Sequence, residues 1–456
     1  MDVAVSVYIG PAGFSEPGKV KVYYNNGGEL ESTPSFESYE YFTFSCALGD
    51  ADGDGDLDLA TTGGEPYSGL YDTGKIFYNR NGYFNSTPDW ESDVSFGSLD
   101  VEFADVDQNG YLDAIFTSEE TPNYIFLADE YGKISTTPSW ESLDAENYIN
   151  SVDFGLTGPG KIPAIVVSGN DQLGGNGEIW MYEFAYGVPA TGIASWISSP
   201  VGYGSGILLS DVNLDGTLDL IYGGWWLPMK IALGETNGFE LDPSYTSSTN
   251  SVVEAILVAD LDRDGIETIS ETIEVQNDSL SVIYLEKQII EHINSITLNG
   301  KTISPAFYCF VENKNWISFK DVLRTGDEIV VEYDYSDKGD IVITNWDNSK
   351  GNYIFYNTLE TAVNFSGELN PDKLALEVSP NPAIDRVIVS FYLESKQLIE
   401  VIITGLQGKQ ILQSSKQWKD LGMGQMELNI ETLEAGVYSL EFKAGRKTEY
   451  RKLVIK

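Results

Sequence analysis

One short motif, repeated in register, constrains this chain more than any other feature. Asp50-Ala-Asp52-Gly-Asp54-Gly-Asp56-Leu-Asp58 places carboxylates at alternate positions of a nine-residue loop. An Asp-rich loop followed by a short apolar strand begins again at Asp105, Asp153, Asp211 and Asp260, at intervals of 55, 48, 58 and 49 residues. A second marker keeps the same beat. It reads Ser-Thr-Pro-Ser-Phe-Glu-Ser at 32–38, Ser-Thr-Pro-Asp-Trp-Glu-Ser at 86–92 and Thr-Thr-Pro-Ser-Trp-Glu-Ser at 136–142, with weaker echoes around Trp196 and Tyr245. Between the markers each unit runs strand, Asp loop, strand, variable loop, strand, turn, strand. About 50 residues carrying four strands is the size of one propeller blade. The expected fold is therefore all-β, a propeller of about seven four-stranded blades over residues 1–370.

Both ends enter that count. Asp2 to Asn26 reads as the second half of a unit, Asp340-Ile-Val-Ile-Thr-Asn with Gly351-Asn-Tyr-Ile-Phe-Tyr-Asn reads as part of another, and 361–368 could complete the first blade. Residues 271–336 break the beat. Their alternating strands and an Asn299-Gly300 hairpin signal read as a small β-rich insertion between blades.

The loops have the chemistry of calcium sites. In the first, Asp50, Asp52, Asp54 and Asp58 supply carboxylates at positions 1, 3, 5 and 9, Asp56 offers its backbone carbonyl at position 7, and Gly55 permits the sharp turn. The frame recurs as Asp105, Asp107, Asn109, Tyr111 and Asp113, and again as Asp211, Asn213, Asp215, Thr217 and Asp219. At Asp260, Asp262 and Asp264 the ninth position is Thr268, which predicts a weaker or differently completed site. The unit at Asp153 has lost its ligands, and Asp334 to Asp340 reads as similarly degenerate. An EF-hand is excluded, because position 12 is Thr61, Phe116 or Tyr222 where a bidentate Glu would be required, and the flanks are β-like.

These loops, their place between first and second strands, and Lys75-Ile-Phe-Tyr-Asn-Arg-Asn-Gly-Tyr-Phe84 resemble the FG-GAP/VCBS repeats of integrin-α-like β-propellers. The resemblance implies that calcium stiffens each blade, usually on the face opposite the ligand surface.

Charge divides the chain. Residues 1–373 carry 16 Lys and Arg against 60 Asp and Glu, whereas 374–456 carry 11 against 10. A domain boundary near Pro371 follows. The net charge of −43 argues against nucleic acid and anionic lipid as partners. Cys46 and Cys309 read as isolated buried thiols, and no apolar run is long enough to span a bilayer. Met1 leads directly into the middle of a repeat, so a signal peptide and part of a blade are expected upstream.

Residues 374–456 read as a small antiparallel, immunoglobulin-like sandwich. Ser379-Pro-Asn-Pro382, Leu433-Glu-Ala-Gly-Val-Tyr438 and the basic end Arg451-Lys-Leu-Val-Ile-Lys456 resemble the type IX secretion C-terminal sorting domain. That resemblance implies the secretion machinery as a partner, and secretion or outer-surface attachment in a Gram-negative cell.

Catalytic signals are thin. His292 is the single histidine, and G-x-S-x-G, H-E-x-x-H and phosphate-cradling motifs are missing. The expected function is a monomeric, non-catalytic binding or adhesion module for a glycan or extracellular protein. The variable loops between second and third strands carry its ligand-binding candidates, Tyr67, Tyr71, Trp225, Trp226 and Trp346. The alternative is a polysaccharide lyase or hydrolase built on a calcium-binding propeller.

Overall fold

A computed structural model describes residues 2–456 except 12, 66–67, 120, 144–148, 172–176, 185–190, 264, 279, 346–350, 358–375, 380, 385, 394–395, 406–409, 415, 420–421, 434–435 and 446. The boundary expected near Pro371 and the strand expected at 361–368 lie outside the described residues. Two compact units separate at 1–362 and 363–456. Among the described residues both are all-β with antiparallel strand pairs, and a 3-10 turn lies at Pro305–Phe307.

In the first unit the repeat becomes a series of sheets in chain order. The first pairs Val3–Gly10, Gly13–Tyr23 and Phe36–Glu37. Next come Cys46–Gly49, Asp58–Thr61, Leu70–Phe77 and Trp90–Phe96, followed by Val101–Ala104, Asp113–Phe116, Tyr124–Phe126 and Trp140–Glu141. Ile149–Thr157, Ile162–Gly169, Ile179–Glu183 and Trp196–Ile197 repeat the order. The long strand Tyr245–Ala259 then serves two groups. Its first half pairs with Asp219–Ala232, itself paired to Gly204–Ser210, and its second half pairs with Asp340–Asn345, which leads to Tyr353–Phe355. Six groups of three or four strands therefore lie among the described residues.

The second marker explains how successive sheets hold together. Its serine accepts a backbone N–H from a neighbouring strand in five units: Ser38 from Val20, Ser92 from Gly74, Ser142 from Asn123, Ser198 from Ile179 and Ser247 from Met229, at 2.9–3.1 Å. Its aromatic residue is core, as expected: Phe36, Trp90 and Trp140 are buried. Trp90 donates its indole N–H to Ile134 O (3.2 Å) and Trp140 to Thr191 O (3.5 Å), each in the following unit. Phe36 meets Phe84 at 5.1 Å, and Trp196 meets Phe239 at 5.3 Å, edge-on. One ring per repeat thus joins each sheet to the next.

The insertion is not placed between repeats. Its strands run from Ile266–Glu274 to Glu328–Ser336, so it opens inside the fourth Asp loop and closes just before Asp340. It has two sheets, and a core of its own that includes Ile283, Ile290, Ile296, Ile317, Ile329, Val331 and Tyr333. Asp340–Asn345 is consequently the second strand of the last repeat sheet.

The second unit is a sandwich of two sheets. Glu377–Ser379, Arg386–Leu393 and Gly422–Asn429 face a sheet formed by Gln397–Gly405, Gln410–Gln413, Gln417–Lys419, Gly436–Ala444 and Lys447–Ile455. Val387, Val389, Phe391, Val401, Ile403, Leu440 and Phe442 fill the space between them.

Removing the recurring ring or serine should therefore be felt beyond one sheet. Trp140→Ala is expected to destabilise the first unit by about 3–5 kcal/mol. Ser142→Ala, which strands the Asn123 N–H, should cost about 1–3 kcal/mol. Urea unfolding of both variants checks the ranking.

Candidate metal centres

The four Asp loops share one hydrogen-bond plan. Its anchor is the aspartate that opens the second strand: Asp58, Asp113, Asp219 or Asp340, each at most 1% exposed. One oxygen accepts from the second loop residue: Ala51 at 2.8 Å, Val106 at 2.8 Å, Val212 at 3.0 Å and Leu261 at 3.1 Å. The other oxygen accepts from an amide just beyond the third strand or at its end: Asn79 at 2.8 Å, Ala128 at 2.7 Å, Gly234 at 2.8 Å and Asn357 at 2.8 Å.

Asp340 therefore completes the fourth loop. Thr268, the ninth residue by count, lies in the inserted sheet, where its Oγ1 donates to Asp334 Oδ1 at 2.7 Å. The reading of Asp334 to Asp340 as a degenerate loop of its own is corrected by this geometry. A signal was present in the sequence, since Asp340-Ile-Val-Ile repeats the pattern of Asp58-Leu-Ala-Thr and Asp219-Leu-Ile-Tyr. The insertion hid it by separating the halves of one motif.

Loop backbone follows the motif. Gly55, Gly110 and Gly216 at position 6 have φ of 89°, 90° and 87°. Position 4 is also left-handed in all four loops, with φ of 72° at Gly53, 57° at Gln108, 60° at Leu214 and 56° at Arg263. Three of these residues carry a Cβ into a region that disfavours it. The strain is tolerated because the turn brings the side chains of positions 1 and 3 round to position 9.

In three loops the carboxylates converge. One oxygen from each of Asp50, Asp52 and Asp58 lies within 4.8 Å of the others, and the same holds for Asp105, Asp107 and Asp113 and for Asp260, Asp262 and Asp340. Asp264 is outside the described residues. In the third loop Asp211 binds the amides of Asp215 (3.1 Å) and Gly216 (2.8 Å), while the exposed Asp215 is bonded by Asn213 Nδ2 at 3.0 Å. Those carboxylates do not meet the 4.8 Å convergence seen in the other three. Asn109 turns its amide Nδ2 to Ala128 O at 3.0 Å and its Oδ1 to Tyr111 N at 2.9 Å. The Asp56 carboxylate is taken by Asn81 N at 2.7 Å, which leaves its carbonyl as the group it can offer; Tyr111 and Thr217 hold the same position.

Two buried negative charges with a third, less buried one at this spacing are mutually costly. Each pair at about 4–5 Å contributes roughly 3–4 kcal/mol of repulsion at an effective dielectric of about 20. Burial, with repulsion from Asp52, pushes Asp58 up to about 9, and burial with the Asp107 charge pushes Asp105 up to about 8. Asp50 rises to about 6, again chiefly through burial. One atom makes the fit to a cation specific: Asp105 Oδ1 is buried without a hydrogen-bond partner, while Oδ2 accepts from Gly110 N at 3.1 Å. An unpaired carboxylate oxygen beside two other carboxylates is the donor set that a hard divalent ion takes.

Asp153 has no such role. A tight Thr157–Ile162 hairpin replaces the loop, and the Asp153 carboxylate instead accepts from Leu209 N at 2.7 Å in the next sheet.

Of the aromatic candidates, Trp225 and Trp226 sit midway along Asp219–Ala232 and Tyr71 near the start of Leu70–Phe77. Trp226 is 51% exposed in a left-handed conformation (φ 60°), edge-on to Tyr203 at 5.9 Å and to Trp225 at 6.2 Å. Trp225 is half-buried beside the Glu254 carboxylate. Tyr71 is exposed on Leu70–Phe77, paired to Gly64. Tyr67 and Trp346 lie outside the described residues. His292 is exposed and hydrogen-bonds through Nδ1 to Asn294 Oδ1 at 3.2 Å. Cys309 is buried and Cys46 half-buried, both as free thiols.

In the second unit the Ser-Pro-Asn-Pro segment is tied to the last strand. Asn381 Nδ2 donates to Lys452 O at 2.7 Å, and Asn381 Oδ1 accepts from Val454 N at 2.8 Å. Residues 377–456 match the family described as the secretion system C-terminal sorting domain. They are a type IX sorting domain. The sorting domain marks the chain for secretion and cell-surface attachment and brings it to the secretion machinery. No FG-GAP or VCBS repeat family matches the chain. No curated protein matches it either. Among solved structures, a novel fungal alcohol oxidase with catalytic diversity among the AA5 family, in complex with copper, aligns over 96% of this chain and 92% of its own at 10% identity. The TM-score is 0.29, and at that value the alignment carries no argument. Among the described residues, no helix is long and apolar enough to cross a membrane.

The geometry separates two assignments of the fourth loop. Asp340→Ala is expected to lower the number of divalent ions bound per chain by one, and Thr268→Ala to leave it unchanged, as counted by elemental analysis after dialysis.

Proposed function

We propose that the first unit is a calcium-stabilised β-propeller of the FG-GAP/VCBS, integrin-α-like kind, displayed at the cell surface by its sorting domain as a non-catalytic binding or adhesion module. A propeller-like series of sheets is supported by the contacts in which a marker ring reaches the next sheet. Calcium is favoured by all-oxygen donor sets that combine carboxylates with loop carbonyls, and extracellular sites of modest affinity work at the millimolar level of their surroundings.

Trp226 carries the assignment of the binding face. A tryptophan half exposed, held in a left-handed backbone conformation at a shift of strand register and braced by Tyr203 and Trp225, is a rigid platform. Such a ring stacks on a sugar face or anchors a protein side chain. Strand ends opposite the metal loops are free to vary while the loops hold the frame.

Two measurements test this reading. Transfer from millimolar calcium into EGTA should lower the melting temperature of the first unit by at least about 5 °C, since saturating a single site stabilises by roughly 2.7 kcal/mol at a hundredfold excess over its Kd. On a glycan array and against cell-surface extracts, Trp226→Ala should weaken binding at least tenfold, while Tyr131→Ala, at an exposed turn, should not. Retained binding by the Trp226 variant would remove this face. Release of new reducing ends or unsaturated products from a polysaccharide would establish an enzyme instead.

A further inference from the structure

The inserted domain lies directly on the Asp loops. At the first, Ser318 Oγ donates to Asp50 Oδ2 at 3.3 Å, and Ala306 O and Lys320 lie against Gly55. At the second, Ser281 N donates to Gly110 O at 2.9 Å and Tyr284 OH to the backbone oxygen of Asp105 at 3.1 Å. Val282 and Trp316 are buried in one cluster with Ala51, Phe103 and Leu112 of the repeat sheets. At the fourth, Ser336 Oγ donates to Asp260 Oδ2 at 2.8 Å. Between these points Lys314 reaches Glu102 at 2.7 Å, with the Asp153 and Asp100 carboxylates also attracting it.

Every one of the three converged loops therefore presents part of its metal-binding apparatus to the insertion. Two contacts use carboxylate oxygens of candidate ligands, and two use loop carbonyls whose direction depends on the loop staying wrapped. The buried Asp105 Oδ1, unpaired within the second loop, points independently to an ion at the place where Tyr284 and Ser281 dock.

We propose that the metal loops are a docking surface whose partner is this chain's own inserted domain, so that cation occupancy latches residues 266–336 onto the repeat sheets and cation loss releases them. The inference rests on the metal reading given above. When the ion leaves, the clustered carboxylates repel, the loops open, and the surface that Ser281, Tyr284, Ser318 and Ser336 recognise is lost. The insertion keeps its own core, so it undocks as a folded body. Its two chain ends meet at the split fourth loop, between Asp260 and Asp340, which makes that loop the pivot.

Hydrogen exchange on the full chain, in millimolar calcium and in EGTA, tests the latch, with bound calcium counted on the same samples. The expected result is at least tenfold faster exchange around Ser281 on calcium removal, while amides of Ile290–Leu298, inside the inserted sheet, stay protected. Ion release with unchanged exchange around Ser281 would overturn the latch and leave the metal reading standing. Failure to find any bound ion would overturn both. Equal loss of protection throughout the insertion would show unfolding and refute undocking.

A pair of variants gives a second route. A Cβ at Gly110 would lie 2.6 Å from Leu280 Cα and Ser281 N, whereas one at Gly216, with nearly the same φ, meets nothing within 4 Å. In saturating calcium Gly110→Ala should speed exchange around Ser281 at least tenfold relative to Gly216→Ala. Indistinguishable variants would count against docking at this loop.

Discussion

Buried aspartates gathered around a common point are the constraint on which the first unit depends. Each position-9 aspartate receives one amide from its own loop and one from the end of the third strand, so a single side chain ties loop, second strand and third strand together. That arrangement demands ionised or strongly polarised carboxylates in a buried place, and the neighbouring carboxylates at positions 1 and 3 make the electrostatics worse. A divalent cation would turn the same crowding into coordination.

The second repeating element works by different physics. The marker serine satisfies an N–H of the neighbouring, interior strand, and the marker ring crosses into the next unit. Polar satisfaction and aromatic burial thus follow the same period as the Asp loops, one inside each sheet and the other between sheets. The exposed Trp226, with its left-handed backbone, lies midway along Asp219–Ala232 and belongs to neither device.

The insertion changes what the loop face can do. In a plain repeat that face would be solvent-exposed acid; here it is covered by a domain with its own core, anchored through Lys314 in a carboxylate-rich surround and through serines on the loops. A chain with formal charge −43 thereby sets three of its acidic loops against a second folded body.

Local chemistry was legible from residues alone. The Asp-loop frame, the glycine at position 6, the buried marker rings and the motifs of the sorting domain are short-range patterns, because a nine-residue turn or an aromatic at a fixed offset is dictated by neighbours in sequence. What the sequence could not order was the partner of a broken motif. Asp260 and Asp262 find their ninth-position carboxylate in Asp340, across a folded domain, and counting along the chain leads instead to Thr268. Nor could periodicity tell that Ser281, Tyr284 and Ser318 would come to rest on loops about 170 to 270 residues away in the chain. Sequence decided which turns could gather charge, while tertiary structure decided which carboxylates share a site and what covers them, because only packing brings distant segments within reach of an interaction that acts over a few ångströms.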